Sequence, residues 1–495
     1  MTRPVPPPPS RPPARVPRHG LPSAIVVALG LSVAFGVGQV LYWCEPGITS
    51  PTSLMTVWLK PLAGVFVLTR TLLLVGWGVA AVLALLLLRH RSTPPVDAGT
   101  VRGHQYGILA ALLLPFTTMA LHLLGRSLPT LLLCLPTTAA ALFLLHRAQL
   151  FRRMPGRLLL TAFGAGALVA GGFGVTMIVW SWWYLPGYLL DWSRPRDTAR
   201  LFFSVGSLDS ALVTELGKAA VVAILYLLCR RHIDGVVSGV ILGAAVGLGF
   251  NLTETVSYMS DYPGALGSNG PPAQPSVEFW TRQVVGLMAV HVAFTALVGA
   301  GFGAARRLPD RRDRAQVVTA GVLAALGGHF ETDIVLGQLA KERDTWFSGG
   351  DTLGLLLGVP LMTAVTSGVF VALYALILRR GLRAQERGLR RTLREEADSG
   401  AGAVTGPEIP LLLSPRRRLL LELRVWRRDG VAGVRLLTRL HQAQLDLATQ
   451  RLYRDGPGAD ILVPPEQPLR DRVLALKGAP MASDRTTLPA GGAPS

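Results

Sequence analysis

The sequence predicts an all-α fold: a polytopic transmembrane helix bundle of about ten spans, followed by a helical cytoplasmic C-terminal extension. Three observations carry that expectation. Of 495 residues, 50% are hydrophobic and only 16% charged, and the mean hydropathy is +0.41, too sparse in charge for a water-soluble chain of this size. Apolar runs recur, each long enough at 1.5 Å per helical residue to cross a hydrocarbon core of roughly 30 Å. The arginines behind the formal net charge of +19 fall in short segments between those runs, a topological pattern that excludes a nucleic-acid-binding surface as the simplest reading.

In chain order, residues 1–20 form a Pro/Arg-rich tail, MTRPVPPPPSRPPARVPRH, and no small-residue cleavage site follows the first apolar run. An uncleaved cytoplasmic tail is therefore expected. Apolar segments lie at 21–43, 62–88, 107–125, 127–146, 158–181, 202–229, 235–259, 283–305, 315–340 and 353–378. They divide into N-terminal spans within 21–200, core spans within 201–340 and a last span at 353–378. Alternate loops are basic, among them HRAQLFRRMPGR from His146, RRHID from Arg230 and RRLPDRRDR from Arg306. Such loops stay inside, so both termini are expected in the cytoplasm and the loop from Ser260 to Phe279 outside. Trp180, Trp182, Trp183 and Tyr184 suit a membrane-interface belt. Cys44, Cys134 and Cys229 show no disulfide or metal spacing and read as small apolar residues. Lysine occurs only at Lys60, Lys218, Lys341 and Lys477, a bias that fits a high-GC bacterial source and hence a multi-pass protein of the bacterial plasma membrane. Residues 379–455 read as basic amphipathic cytoplasmic helices, and 456–495, rich in Pro, Gly and Ala, as a disordered tail.

Ionisable side chains inside a membrane are costly and mark functional sites by default. Here they concentrate in the sixth to ninth spans: Thr214, Glu215 and Lys218 in VTELGKAA, Glu254 in GFNLTET, His291 in HVAFTALVG, and His329, Glu331 and Asp333 in GGHFETD. Residues three or four apart share a helix face, which pairs Glu215 with Lys218, Phe250 with Glu254, His291 with Thr295, and His329 with Asp333. Glu331 points away. The Glu254 face continues back through Gly247, Gly243 and Gly239, and the His291 face forward through Gly299 and Gly303. Small-residue ladders of this kind let helices approach closely, so the polar groups are expected at helix contacts around one cavity. Two glutamates and two histidines there can activate a water, with a glutamate as base and a histidine as donor to the oxyanion. The same four groups can hold zinc with an open water position.

The ordered motifs resemble those of the PrsW family, relatives of the CAAX prenyl endopeptidase superfamily. That family's pattern, EExxK, a glycine-rich helix beginning DG and ending FxxxE, HxxxT, and HxxxD or HxxxN, is met by Thr214-Glu215-x-x-Lys218, by Asp234-Gly235 leading to Phe250 and Glu254, by His291 and Thr295, and by His329 and Asp333. The resemblance spans roughly 205–335 and implies an intramembrane endopeptidase acting on a membrane-tethered protein, for instance an anti-sigma-factor-like regulator. It implies Glu215, Glu254, His291 and His329 as catalytic, with Lys218, Phe250, Thr295 and Asp333 in support. It further implies either a divalent metal such as zinc on Glu254, His291 and His329, or no cofactor under a glutamate-type mechanism. The sequence departs from the pattern at Thr214, where the first glutamate of the family's pair stands. A catalytically inactive binder or a transporter using the same polar cavity is the competing expectation. The first five spans lack a matching set of buried charges, which weighs against transport.

Overall fold

The computed structural model describes residues 20–43, 62–91, 97–178, 195–260, 275–346, 352–454 and 466–478. The proline-rich tail before residue 20, Cys44, the Trp180–Tyr184 belt, residues 261–274 of the loop expected outside, and the end of the chain lie outside the described residues.

Ten helices follow the ten apolar segments. They are α1 (Leu21–Trp43), α2 (Ala63–Arg91), α3 (Ala98–Arg126), α4 (Leu128–Ala148), α5 (Gly156–Ile178), α6 (Pro195–Cys229), α7 (Val236–Met259), α8 (Val290–Ala305), α9 (Arg311–Trp346) and α10 (Val359–Asp398). Among the described residues nine spans are long and apolar enough to cross a membrane. The helix outside that set is α9. At 36 residues it is long enough, but the polar groups around His329 dilute its hydropathy. Packing against α6, α8 and α10 places it inside the bundle.

The centre of the bundle is α7, in which only Val236 and Tyr258 are less than fully buried. Its glycines explain why. A Cβ on Gly243 would meet the Thr295 carbonyl carbon at 2.9 Å and Gly299 Cα at 3.1 Å, and one on Gly239 would meet Gly303 Cα at 2.8 Å. On the opposite flank, a Cβ on Gly249 would run into Ala167 N at 2.6 Å. Because lipid tails are as apolar as the side chains, helix association in a bilayer depends on such close van der Waals contact. Leu85, Leu88, Leu132 and Phe143 remain exposed on the outer helices, as lipid-facing side chains do.

Among the described residues three spans contain π-helical turns, one of them at Gly354–Gly358 ahead of α10. A π-helical turn at Gly166–Ala170 interrupts α5 where it passes α7. Before α8 the chain forms a short helix, Pro275–Phe279, a π-helical turn, Trp280–Val285, and a non-helical link.

At 40 residues α10 is about 60 Å long, twice the hydrocarbon thickness. Its end joins α11 (Ile409–Leu413), α12 (Pro415–Arg454) and α13 (Glu466–Lys477). Leu389 and Leu393 of α10 pack with Ile409, Leu412, Leu413, Leu445 and Phe151. Gly430, at φ 66°, divides α12 into two helical pieces, a left-handed conformation that glycine adopts without steric cost. The buried Glu396 carboxylate takes Arg451 at 2.7 Å and both arms of Arg470 at 3.0 and 3.1 Å. This group docks on the basic loop after α4, where Arg418 donates to the Leu150 carbonyl at 2.6 Å.

The expected disorder of 456–495 is corrected by α13. Leu469 and Val473, four residues apart, are buried with Ala443 and Leu447. Bulk Pro/Gly/Ala composition conceals a twelve-residue amphipathic stretch.

Candidate active site

Four helices deliver the motif residues to one buried cluster. On α6, Glu215 and Lys218 are fully buried one turn apart, and Lys218 Nζ donates to Glu215 Oε1 at 2.5 Å. The same ammonium lies 3.1 Å from His291 Nδ1 and 4.5 Å from the centroid of the Phe250 ring. A protonated ammonium has no lone pair to offer, so His291 Nδ1 accepts and Nε2 carries the proton. That proton points at Glu254 Oε2, 2.5 Å away. Lys218 thereby fixes the tautomer of His291 and aims it.

His329 stands opposite, its ring centroid 5.3 Å from that of His291. Its Nδ1 faces Glu215 Oε1 at 2.8 Å and Thr214 Oγ1 at 3.0 Å, while Nε2 lies 3.7 Å from Asp333 Oδ2. Phe294 stacks on the ring at 5.9 Å. Both histidines therefore turn Nδ1 toward the Glu215–Lys218 pair and Nε2 toward a carboxylate. Carboxylates behind histidines fix the orientation of the ring.

Inside this frame, Glu215 Oε2 is buried and has no hydrogen-bond partner. A buried carboxylate oxygen without a partner is a costly arrangement unless a ligand completes it. Ligand atoms of Glu215, His291 and His329 all lie within 4.8 Å of one another, a group able to hold a metal ion. The group contains Glu215 where the sequence reading has Glu254, whose Oε2 faces His291 Nε2 at 2.5 Å. The Lys218 side chain, on Glu215 Oε1 and His291 Nδ1, borders the same group.

The supporting residues separate by role. Phe250 forms the face beneath Lys218 and lies 4.9 Å from the His291 ring. Thr295 donates back to the His291 carbonyl at 2.7 Å and borders Gly247, so it contributes to helix contact. Thr214 donates to the Ser210 carbonyl at 2.8 Å and leaves its oxygen toward His329. Glu331 is not in the cluster.

Sequence reasoning missed Arg282. Its guanidinium donates to Glu254 Oε2 at 2.8 Å and to Glu278 Oε2 at 2.7 Å, with its Cζ 3.8 Å from the centroid of the Tyr258 ring. The signal was present as Glu278 and Arg282, four residues apart at the start of an apolar run.

Fold and site together define a polytopic helical membrane protein with a buried glutamate–histidine–histidine centre drawn from separate spans. Residues 154–365, which include all four motifs, match the family model described as PrsW family intramembrane metalloprotease. No curated protein and no solved structure matches the chain.

Proposed function

We propose that this protein is an intramembrane endopeptidase that hydrolyses a membrane-tethered protein, with Glu215 as general base. The observation that carries the reading is the buried Glu215 Oε2, which has no hydrogen-bond partner, on a carboxylate that groups with His291 and His329 within 4.8 Å. A water hydrogen-bonded there is held by a carboxylate that can take its proton as it attacks a peptide carbonyl. Lys218 and His329 flank the same point and supply donors to the oxyanion. When the tetrahedral species collapses and the C–N bond breaks, Glu215 returns the proton to the leaving amine. Glu254 and Asp333 act as positioning residues, through His291 and His329 respectively.

The orphaned oxygen and the oxygen–nitrogen–nitrogen donor set also fit a divalent cation such as zinc, held by Glu215, His291 and His329, which supplies Lewis-acid polarisation of the scissile carbonyl. Under either chemistry Glu215 is indispensable. A second reading, a catalytically inactive binder, is favoured by Thr214, whose hydroxyl occupies the place of the family's first glutamate. The reading puts both termini on the cytoplasmic side of a bacterial plasma membrane and makes single-span regulators of the anti-sigma-factor kind the first substrates to try.

Purified protein presented with candidate single-span proteins tests the proposal. Wild type cleaves, and Glu215→Gln and His291→Ala do not. If Thr214→Glu alone creates cleavage, the inactive reading holds; equal processing by wild type and Glu215→Gln removes Glu215 from the mechanism.

A further inference from the structure

A second cavity lies away from the motif cluster, where α6 ends, α8 ends and α9 begins. It encloses about 790 Å³, a volume in the range of small-molecule sites. Its lining has two tiers. Arg230, Arg306 and Arg314 stand at the rim, and Tyr226, Phe302 and Val318 lie below them. Each segment contributes one residue to each tier, four positions apart: Tyr226 on α6 and Arg230 just past its end, Phe302 on α8 and Arg306 just past its end, and Val318 and Arg314 on α9. Four helical residues rise about 6 Å, so each apolar side chain lies about one turn further from the helix end than its arginine. Arg307 joins the rim, while Asp310 of the adjoining loop and Asp313 in the first turn of α9 do not line the cavity.

The cavity is built and not merely a gap. The Tyr226 and Phe302 rings pack against each other at 5.2 Å. Arg314 donates to the Leu308 and Pro309 carbonyls at 2.6 and 3.0 Å, and Arg307 donates to the Asp234 carbonyl at 3.0 Å, so the rim loop is tied in place.

We propose that this cavity binds an anionic phospholipid, with its phosphate among the rim arginines and the first acyl carbons against Tyr226, Phe302 and Val318. Arginine recognises phosphate with paired, charge-assisted donors, and basic pockets between spans at the membrane surface are suited to anionic head groups. A free phosphate would use the rim alone and gain nothing from the apolar tier. The inference is independent of the proteolytic reading.

Native mass spectrometry of the full-length protein in neutral detergent tests it, with palmitoyl-oleoyl phosphatidylglycerol, the matching phosphatidylcholine and inorganic phosphate as probes. The expected result is a phosphatidylglycerol adduct at about tenfold lower lipid concentration than phosphatidylcholine, the scale of one or two charge-assisted contacts. The double variant Arg230→Gln/Arg306→Gln removes that preference, whereas Arg390→Gln/Arg391→Gln, an equal charge change on the far part of α10, retains it. Ala315→Trp fills the cavity from an exposed lining position without touching an arginine, and also loses the adduct, which separates a shaped site from net charge and serves if the double variant fails to fold. Equal retention of the two lipids, wild-type retention by Ala315→Trp, or competition by millimolar phosphate that abolishes the adduct overturns the lipid assignment.

Discussion

Glu215 and Lys218 offer the sharpest test of how the site is held together. Both side chains are wholly buried, their Nζ–Oε1 distance is 2.5 Å, and Lys218 also serves His291 and the Phe250 face. Lys218→Met leaves the Glu215 carboxylate buried with His329 as its remaining contact. Removing one partner of a buried pair typically costs about 3–5 kcal/mol. Glu215→Gln is milder, because the ammonium keeps His291 Nδ1 and the Phe250 ring. Replacing both partners leaves no uncompensated charge, so the double variant Glu215→Gln/Lys218→Met should recover about 2 kcal/mol or more relative to the sum of the single losses. The assay is reversible unfolding of the purified protein in mixed micelles, followed by helical circular dichroism for wild type, both single variants and the double. Additive losses, with no coupling beyond about 0.5 kcal/mol, would show that the pair is not an energetic unit and refute the reasoning.

Arg282→Gln should lower kcat on a cleaved substrate by about 10- to 100-fold with little change in KM, because it releases Glu254 from its countercharge and slackens His291 without touching substrate; an unchanged kcat in steady-state kinetics would remove Arg282 from the site. Gly243→Ala should cost about 1–3 kcal/mol in the same unfolding assay, since the added methyl meets the Thr295 carbonyl and Gly299 on α8, and an unaltered midpoint would mean that α7 and α8 are not in tight contact. His441 in α12 is pushed down to about 4 by burial and by neighbouring Arg418, whereas the unfolded chain takes up a proton near 6.5. The stability it permits is therefore fully present above about pH 6.5 and declines as pH falls toward 4, by up to about 3 kcal/mol; hydrogen exchange in 437–449, corrected for intrinsic rates, should show that decline in wild type and lose it in His441→Leu.

The spans were legible because each apolar run matches the thickness it must cross, and the glycine periodicity of α7 pointed to close helix contact on its Glu254 face, where α8 lies. The meeting of Glu215, Glu254, His291 and His329 was legible from helical spacing, which fixes a face without a structure. What spacing does not encode is the direction of a side chain across that face. For this reason Glu254 was expected as a metal ligand, although it stands behind His291 and Glu215 stands before it. Arg282 escaped because its Glu278 pair, four residues apart, reads as an ordinary ion pair, while its contact with Glu254 is made across to another helix. The α13 helix escaped because its two buried positions, Leu469 and Val473, are outweighed by the surrounding composition and gain their partners only from α12.

The length of α10 has a mechanical consequence. Sharp bends in helices arise at proline, at Gly/Ser pairs or at π-helical turns; in α10 the lone proline is Pro360 in the first turn, next to the π-helical turn at Gly354–Gly358, and the Gly/Ser pair is Ser367–Gly368. From Phe370 to Glu396 the helix has none of these. Phe370 on this shaft bears edge-on against Phe294 at 5.2 Å, and Phe294 lies flat on the His329 ring. The Glu396 clamp and the imidazole at the centre of the bundle are thus joined through one unbroken stretch of helix, with the Ser367–Gly368 pair and the π-helical turn as the places to bend at the end nearer the histidine.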